Sequence, residues 1–194
     1  MHKRAIACTV LITVILGLWG VAGCSQDNSM TKNQLKILNQ ILSSTLTDEQ
    51  IATIELADEV TEKFPAVDKM FKLIANEKES YVFLVSPVGY RAPINTMVVI
   101  DAEKNEITGI KVVQQDETPE WGVWLSETWF TDRFKGKSVD KYLIRAILEA
   151  KESNEIIQIT SATVSTQAVL NGVNSAMGIY REVVLEEEAD PVPL

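Results

Sequence analysis

Apolar and polar positions alternate with different periods along this chain. Residues 5–23 are apolar without a charged side chain, and residues 25–31 are polar. Leu35, Leu38, Ile41 and Leu42 recur at helical spacing, so 32–43 is predicted to be an amphipathic helix that ends at Ser43-Ser44-Thr45. Thr47, three residues before Gln50, has the pattern of a capping box and predicts a helix start there. Residues 66–76 fit helix or strand equally. Residues 81–85, 94–100 and 107–113 read as strands. In the third, Ile107, Gly109, Lys111 and Val113 fall on one face, and Thr108, Ile110 and Val112 on the other. Short turns between these runs, as at 101–106, predict an antiparallel meander. A Trp-rich loop and helix follow over 119–137. Residues 143–148 fit helix or strand, and 156–159 read as a short strand. From Ser165 the period is helical through Val169, Val173, Met177, Tyr180 and Val184. Residues 185–194 are acidic, then proline-rich, and read as a frayed end. The fold class is α+β: a mainly antiparallel sheet with packed helices, and a turn at Thr163 that opens the C-terminal helix.

The N-terminus reads as an address. Lys3 and Arg4 precede the apolar run, which ends at Val21-Ala22-Gly23-Cys24. A positive start, an apolar run and small residues before a cut are a secretory signal. The last four residues resemble a bacterial lipobox, in which the cysteine, here Cys24, is lipidated after cleavage before it. An uncleaved membrane helix is the alternative, since the run approaches the roughly 20 residues needed to span a bilayer. Either reading tethers the remainder outside the cytoplasm. Ser25 after the cysteine favours outer-membrane sorting in a cell with two membranes. The expected organisation is a signal peptide over 1–23, a tether over 24–31, an N-terminal helical region over 32–78, a main domain over 79–185 and an acidic tail over 186–194.

Composition then narrows the chemistry. The formal charge is −9, and because Lys3 and Arg4 lie in the leader the remainder carries −11. Such a domain repels phosphate backbones, so nucleic acid is not an expected partner. His2 is the one histidine, and Cys8 and Cys24 are the two cysteines. The body therefore lacks both residue types. That removes Ser-His-Asp and Cys-His catalysis, haem and iron–sulfur ligation, and the common zinc sites. No catalytic residue and no metal ligand is assigned. A redox role would need an organic cofactor.

One stretch carries chemistry of its own: Thr160-Ser161-Ala162-Thr163, between the last strand and the long helix. Taken alone, it is a set of hydroxyls suited to capping a helix. Three further elements accompany it in order: Gly89-Tyr90 before the 94–101 strand, Glu117-Thr118-Pro119-Glu120-Trp121-Gly122, and Phe134-Lys135-Gly136-Lys137. Together they resemble the FMN-binding domain family over about residues 80–180. That family includes the G subunit of the Rnf electron-transport complex and the C subunit of the sodium-pumping NADH:quinone reductase. Its usual motif is Ser/Thr-Gly-Ala-Thr, often preceded by Asp. This chain has Ser161 at the glycine position, Ile157 near the aspartate position, and Glu120 where the upstream loop usually has glycine.

The resemblance implies an FMN joined by a phosphoester to Thr163, with Thr160, Ser161 and Ala162 shaping the attachment turn. It places Glu117 and Thr118 beside the flavin as hydrogen-bonding groups. Trp121 is the aromatic candidate to flank the ring, while Trp124 and Trp129 suit either that role or a core. A threonine hydroxyl is a poor nucleophile without a base, and the body has no histidine, so an external FAD:protein FMN transferase is the implied partner. The expected function is electron transfer as a subunit rather than as a free-standing enzyme. Its partner would be a membrane electron-transport complex or an extracytoplasmic reductase. The alternative is a non-flavinylated lipoprotein that uses the same fold to bind a ligand or partner. An accessory subunit that happens to carry flavin is a third reading.

Overall fold

The computed structural model describes residues 29–75 and 77–192. The leader, Cys24 and the first part of the tether lie outside the described residues. Five strands form one antiparallel sheet in chain order: β1 (Ile51–Ile54), β2 (Val67–Ala75), β3 (Lys78–Val85), β4 (Asn95–Asp101) and β5 (Glu106–Gln114). Among the described residues, four α-helices accompany them: α1 (Lys32–Leu42), α2 (Asp58–Lys63), the single turn α3 (Thr128–Thr131) and the long α4 (Thr163–Val183). A separate parallel pair, β6 (Ile144–Ala146) and β7 (Glu155–Ile157), sits before α4.

The sheet is buried on both faces. Alternate residues of each strand therefore feed two different cores. Val67, Met70, Phe83, Val85, Val98 and Ile100 join α4 residues Val169, Val173, Met177 and Tyr180 in the larger one. Phe71, Leu73, Val82, Leu84, Met97 and Val99 pack with Leu38 of α1 in the other. The molecule is thus a helix–sheet–helix sandwich, with α4 on the face that carries the candidate site.

The predicted α+β class and antiparallel meander are observed, with particular differences. The segment 32–78, expected to be helical, holds α1 but also β1 and β2, and β2 pairs with β3 along its length. The region is therefore part of the sheet. Residues 66–76, ambiguous in sequence, are mostly strand because both of their faces meet a core. The capping pattern at Thr47 opens only one 3-10 turn, Asp48–Gln50, with the Thr47 N–H donating to Gln50 Oε1 at 3.0 Å. The same pattern at Thr31 and Gln34, not anticipated, starts α1. In β5, Val99 pairs with Gly109 and Ile100 with Ile107, so Thr108 is an extra residue. This bulge turns Ile107 onto the α4 face beside Ile110 and Val112, against the strict alternation predicted. The C-terminal tail is not frayed as far as residue 192. Glu186 takes a left-handed φ of 56° and turns the chain back, and Ala189 and Val192 are buried in the α4 core.

Candidate functional site

The site lies where α4 begins. The chain leaves β7, and the Ile159 N–H donates to Thr166 Oγ1 at 3.2 Å, which draws the strand end against the first helical turn. Ser161 then takes a left-handed φ of 66°. For an L-residue that conformation costs roughly 1–2 kcal/mol, and glycine adopts it freely. Ser161 occupies the position that the motif usually gives to glycine, and the backbone supplies the physical reason for that preference. Glu120 also stands at a usual glycine position, but its φ is not positive. Ala162 is the N-cap of α4 and makes no side-chain cap. Thr163 is the first helical residue, exposed, and its hydroxyl does not cap the helix. The N–H groups of the first turn, which no helix satisfies internally, and the positive end of the helix dipole are available to an anion.

Thr163 opens onto a cleft of about 410 Å³ lined by Tyr90, Thr118, Trp121 and residues 161–165. The size falls in the usual range for small-molecule clefts, roughly 300–1,000 Å³. The cleft combines hydroxyls with two exposed aromatic side chains, Tyr90 and Trp121. A flat aromatic ring system ending in a phosphate suits that combination. Of the candidate residues, Thr118, Trp121, Ser161, Ala162 and Thr163 share this cleft. Thr160 faces a second, neighbouring cleft with Trp124, Trp129, Arg133, Ile147, Leu148, Ile157, Gln158 and Ile159. Trp124 and Trp129 are exposed, so neither is core. Trp121 meets Trp124 edge-on at 5.3 Å, and the Arg133 guanidinium stacks on Trp129 at 4.9 Å.

Glu117 is not a lining residue. It is 5% exposed, and its carboxylate is occupied within the protein. It accepts the N–H groups of Arg91 at 2.9 Å, Tyr90 at 3.3 Å and Ala92 at 3.4 Å, and the hydroxyl of Ser165. Burial pushes the carboxyl up. The hydrogen bonds from Arg91, Ser165, Ala92 and Tyr90 outweigh burial and hold it below its ordinary range. One carboxylate thus ties together the Tyr90 turn, the 117–122 loop and the first turn of α4. Its neighbours must be small. A Cβ on Gly122 would lie 2.0 Å from Glu117 Cβ, and one on Gly89 would lie 2.5 Å from Glu117 Oε1. These packing demands explain both glycines of the two upstream motifs. Sequence reasoning missed Tyr90, Val164 and Ser165 as lining residues. Ser165 carried a signal, because it stands two residues beyond Thr163 on the same first helical turn.

Comparison with known proteins bears on the family and the fold. Residues 89–178 match the family model described as an FMN-binding domain. The G subunit of the Na(+)-translocating ferredoxin:NAD(+) oxidoreductase complex from Acetobacterium woodii is 36% identical over 96 residues, 49% of this chain and 45% of that protein. This chain therefore matches about half the length of that relative. The G subunit of the ion-translocating oxidoreductase complex from Aliivibrio fischeri is 25% identical over 98% of this chain and 90% of its own length. In structure, the C subunit of the Na(+)-translocating NADH-quinone reductase from Parabacteroides distasonis superposes with a TM-score of 0.55 at 16% identity, covering 80% of this chain and 98% of its own. That likeness concerns the fold. Over residues 89–178, where the cleft, the Glu117 anchor and Thr163 all fall, the chain matches the FMN-binding domain family.

Proposed function

We propose that FMN is joined through its phosphate to Thr163 Oγ1, and that the chain is an extracytoplasmic, membrane-tethered electron-transfer subunit. The observation that carries this reading is the position of Thr163. Its exposed hydroxyl stands at the first residue of α4, on a cleft walled by Tyr90 and Trp121. The relatives named above are subunits of ion-translocating oxidoreductase complexes, which supports a membrane complex of that kind as partner. The leader sequence supports the extracytoplasmic side, with Cys24 as lipid anchor. Among the described residues no helix is long and apolar enough to cross a membrane, so the tether would come from the leader.

Attachment balances as a transfer from FAD. The Thr163 oxygen bonds to the phosphorus of the FMN half, the pyrophosphate P–O bond breaks, AMP leaves, and the hydroxyl proton goes to the transferase. The protein contributes no base of its own, since among the described residues the hydroxyl's side-chain partner is the neutral amide of Gln158. When bound, flavin supplies one- or two-electron redox chemistry. The residues lining the cleft would position it. The excess negative charge of the domain disfavours added electrons and lowers the potential.

Spectroelectrochemistry of the exported protein tests this role. The expected result is a flavin absorption that bleaches and recovers reversibly, with no steady-state turnover of nicotinamide by the isolated chain. Steady turnover would instead mark a free-standing enzyme. The second reading, a binding module without flavin, draws on the motif departures at Ser161, held at positive φ, and at Glu120. It expects no flavin even with a competent transferase present.

A further inference from the structure

The Thr163 hydroxyl heads a short polar relay. It donates to Gln158 Oε1 at 3.4 Å. The same Oε1 accepts Nη1 of Arg145. Arg145 Nε donates to Gln167 Oε1 at 3.2 Å, and Gln167 Nε2 donates to Asn171 Oδ1 at 2.9 Å. The parallel pairing of β6 with β7 sets this up. Ala146 pairs with Ile157, and the Gln158 N–H continues the ladder to the Ala146 carbonyl at 2.8 Å. Arg145 is half-buried. None of the ion pairs among the described residues includes it. Its hydrogen bonds go to the neutral amides of Gln158 and Gln167, so no carboxylate competes for the guanidinium.

Esterification of Thr163 would change the sign of this network. The hydroxyl loses its hydrogen and becomes an acceptor, and an anionic phosphodiester arrives beside it. Gln158 Oε1 then faces acceptors where it faced a donor. Next to the Thr163 oxygen, the groups of the relay able to donate to a phosphate oxygen are the Arg145 fork and the Gln158 amide nitrogen, since Gln167 and Asn171 stand further along it. Of these, the planar, permanently charged guanidinium matches phosphate geometry best.

We propose that Arg145 is the phosphate-binding cation of this site, exchanging its hydrogen bond to Gln158 for one to the FMN phosphate once Thr163 is esterified. This rests on the reading that Thr163 carries FMN. In the unmodified chain Arg145 acts through Gln158 to hold the Thr163 hydroxyl in place.

The test uses the full chain exported with an FMN transferase, as wild type, Arg145→Gln, Arg145→Lys and Gln158→Ala. Intact mass reports attachment, and the phosphorus-31 resonance of the attached FMN reports what touches the phosphate. In the wild type the resonance is expected away from its position in the denatured protein. Arg145→Gln moves it toward that position, Arg145→Lys moves it less, and Gln158→Ala leaves it near the wild-type value. An Arg145→Gln protein that carries FMN at the wild-type shift overturns the proposal while leaving Thr163 as the attachment point. If Arg145→Gln yields no flavinylated protein, Arg145→Lys decides. A displaced resonance supports the proposal, and a wild-type one overturns it, because lysine cannot reproduce the fork. A wild type without FMN removes the Thr163 reading and this proposal together.

Discussion

At the scale of single residues, the site is organised by groups that do not line it. Glu117 lines no cleft; it fixes three segments that do. Because folding lowers its carboxyl pKa, its contribution is complete above the unfolded value of about 4.3 and is lost as pH falls through the lower folded value. Equilibrium denaturation should therefore show stability falling below about pH 4, with a shallower slope in Glu117→Gln. At neutral pH that substitution should cost about 2 kcal/mol, the usual size for hydrogen bonds to a charged group. An unchanged acid slope would mean that the carboxylate does not hold the segments together. Ser161 offers the opposite test. Ser161→Gly relieves a left-handed serine and should raise stability by about 1 kcal/mol. Glu120→Gly, at a residue without positive φ, should lower it by roughly 0.5 kcal/mol. Equal effects from the two substitutions would contradict the assignment. The motif residues were legible in the sequence, but their division of labour was not. A glutamate in a motif loop reads as a ligand until its hydrogen bonds are traced to Tyr90, Arg91, Ala92 and Ser165.

At the scale of elements, the long helix and the strands of the meander followed from their apolar periods. Failures came where local pattern and tertiary context diverge. The bulge at Thr108 has no apolar signature, so alternation alone put Ile107 on the wrong face. The strand β2 alternates between two cores, and a segment apolar on both faces carries no distinguishing period. The two helices on opposite faces also make separable predictions. Leu38 is fully buried under α1, on the face away from Thr163. Leu38→Ala should cost about 3 kcal/mol by chemical denaturation, as is usual for a large-to-small change in a core. Flavin attachment at Thr163 should persist under conditions where the variant is folded. Loss of attachment in folded Leu38→Ala protein would show that the α1 face is coupled to the site. Gly122→Ala should instead disturb both, because the added methyl overlaps Glu117.

At the scale of the whole molecule, the most exposed aromatic side chains among the described residues lie at one end of the sandwich. Tyr90, Trp121, Trp124 and Trp129 cluster there with Ile147 and Leu148, around the start of α4. An acidic body that carries an apolar end beside the candidate cleft suits a subunit that works against another protein rather than on a diffusing substrate. The absence of histidine and cysteine from the body, read from the sequence, meant that a redox role would need an organic cofactor. The structure adds a cleft of suitable size at the expected threonine. The central claim is that Thr163 is the point of covalent attachment, and the most direct measurement is the intact mass of the exported protein, with peptide mapping, made with and without a competent FAD:protein FMN transferase. The expected result is a single increment of one FMN less one water, stable to denaturation, located on the peptide containing Thr163 and absent from Thr163→Val. An unmodified mass in the presence of active transferase, or an increment retained in Thr163→Val, would contradict it.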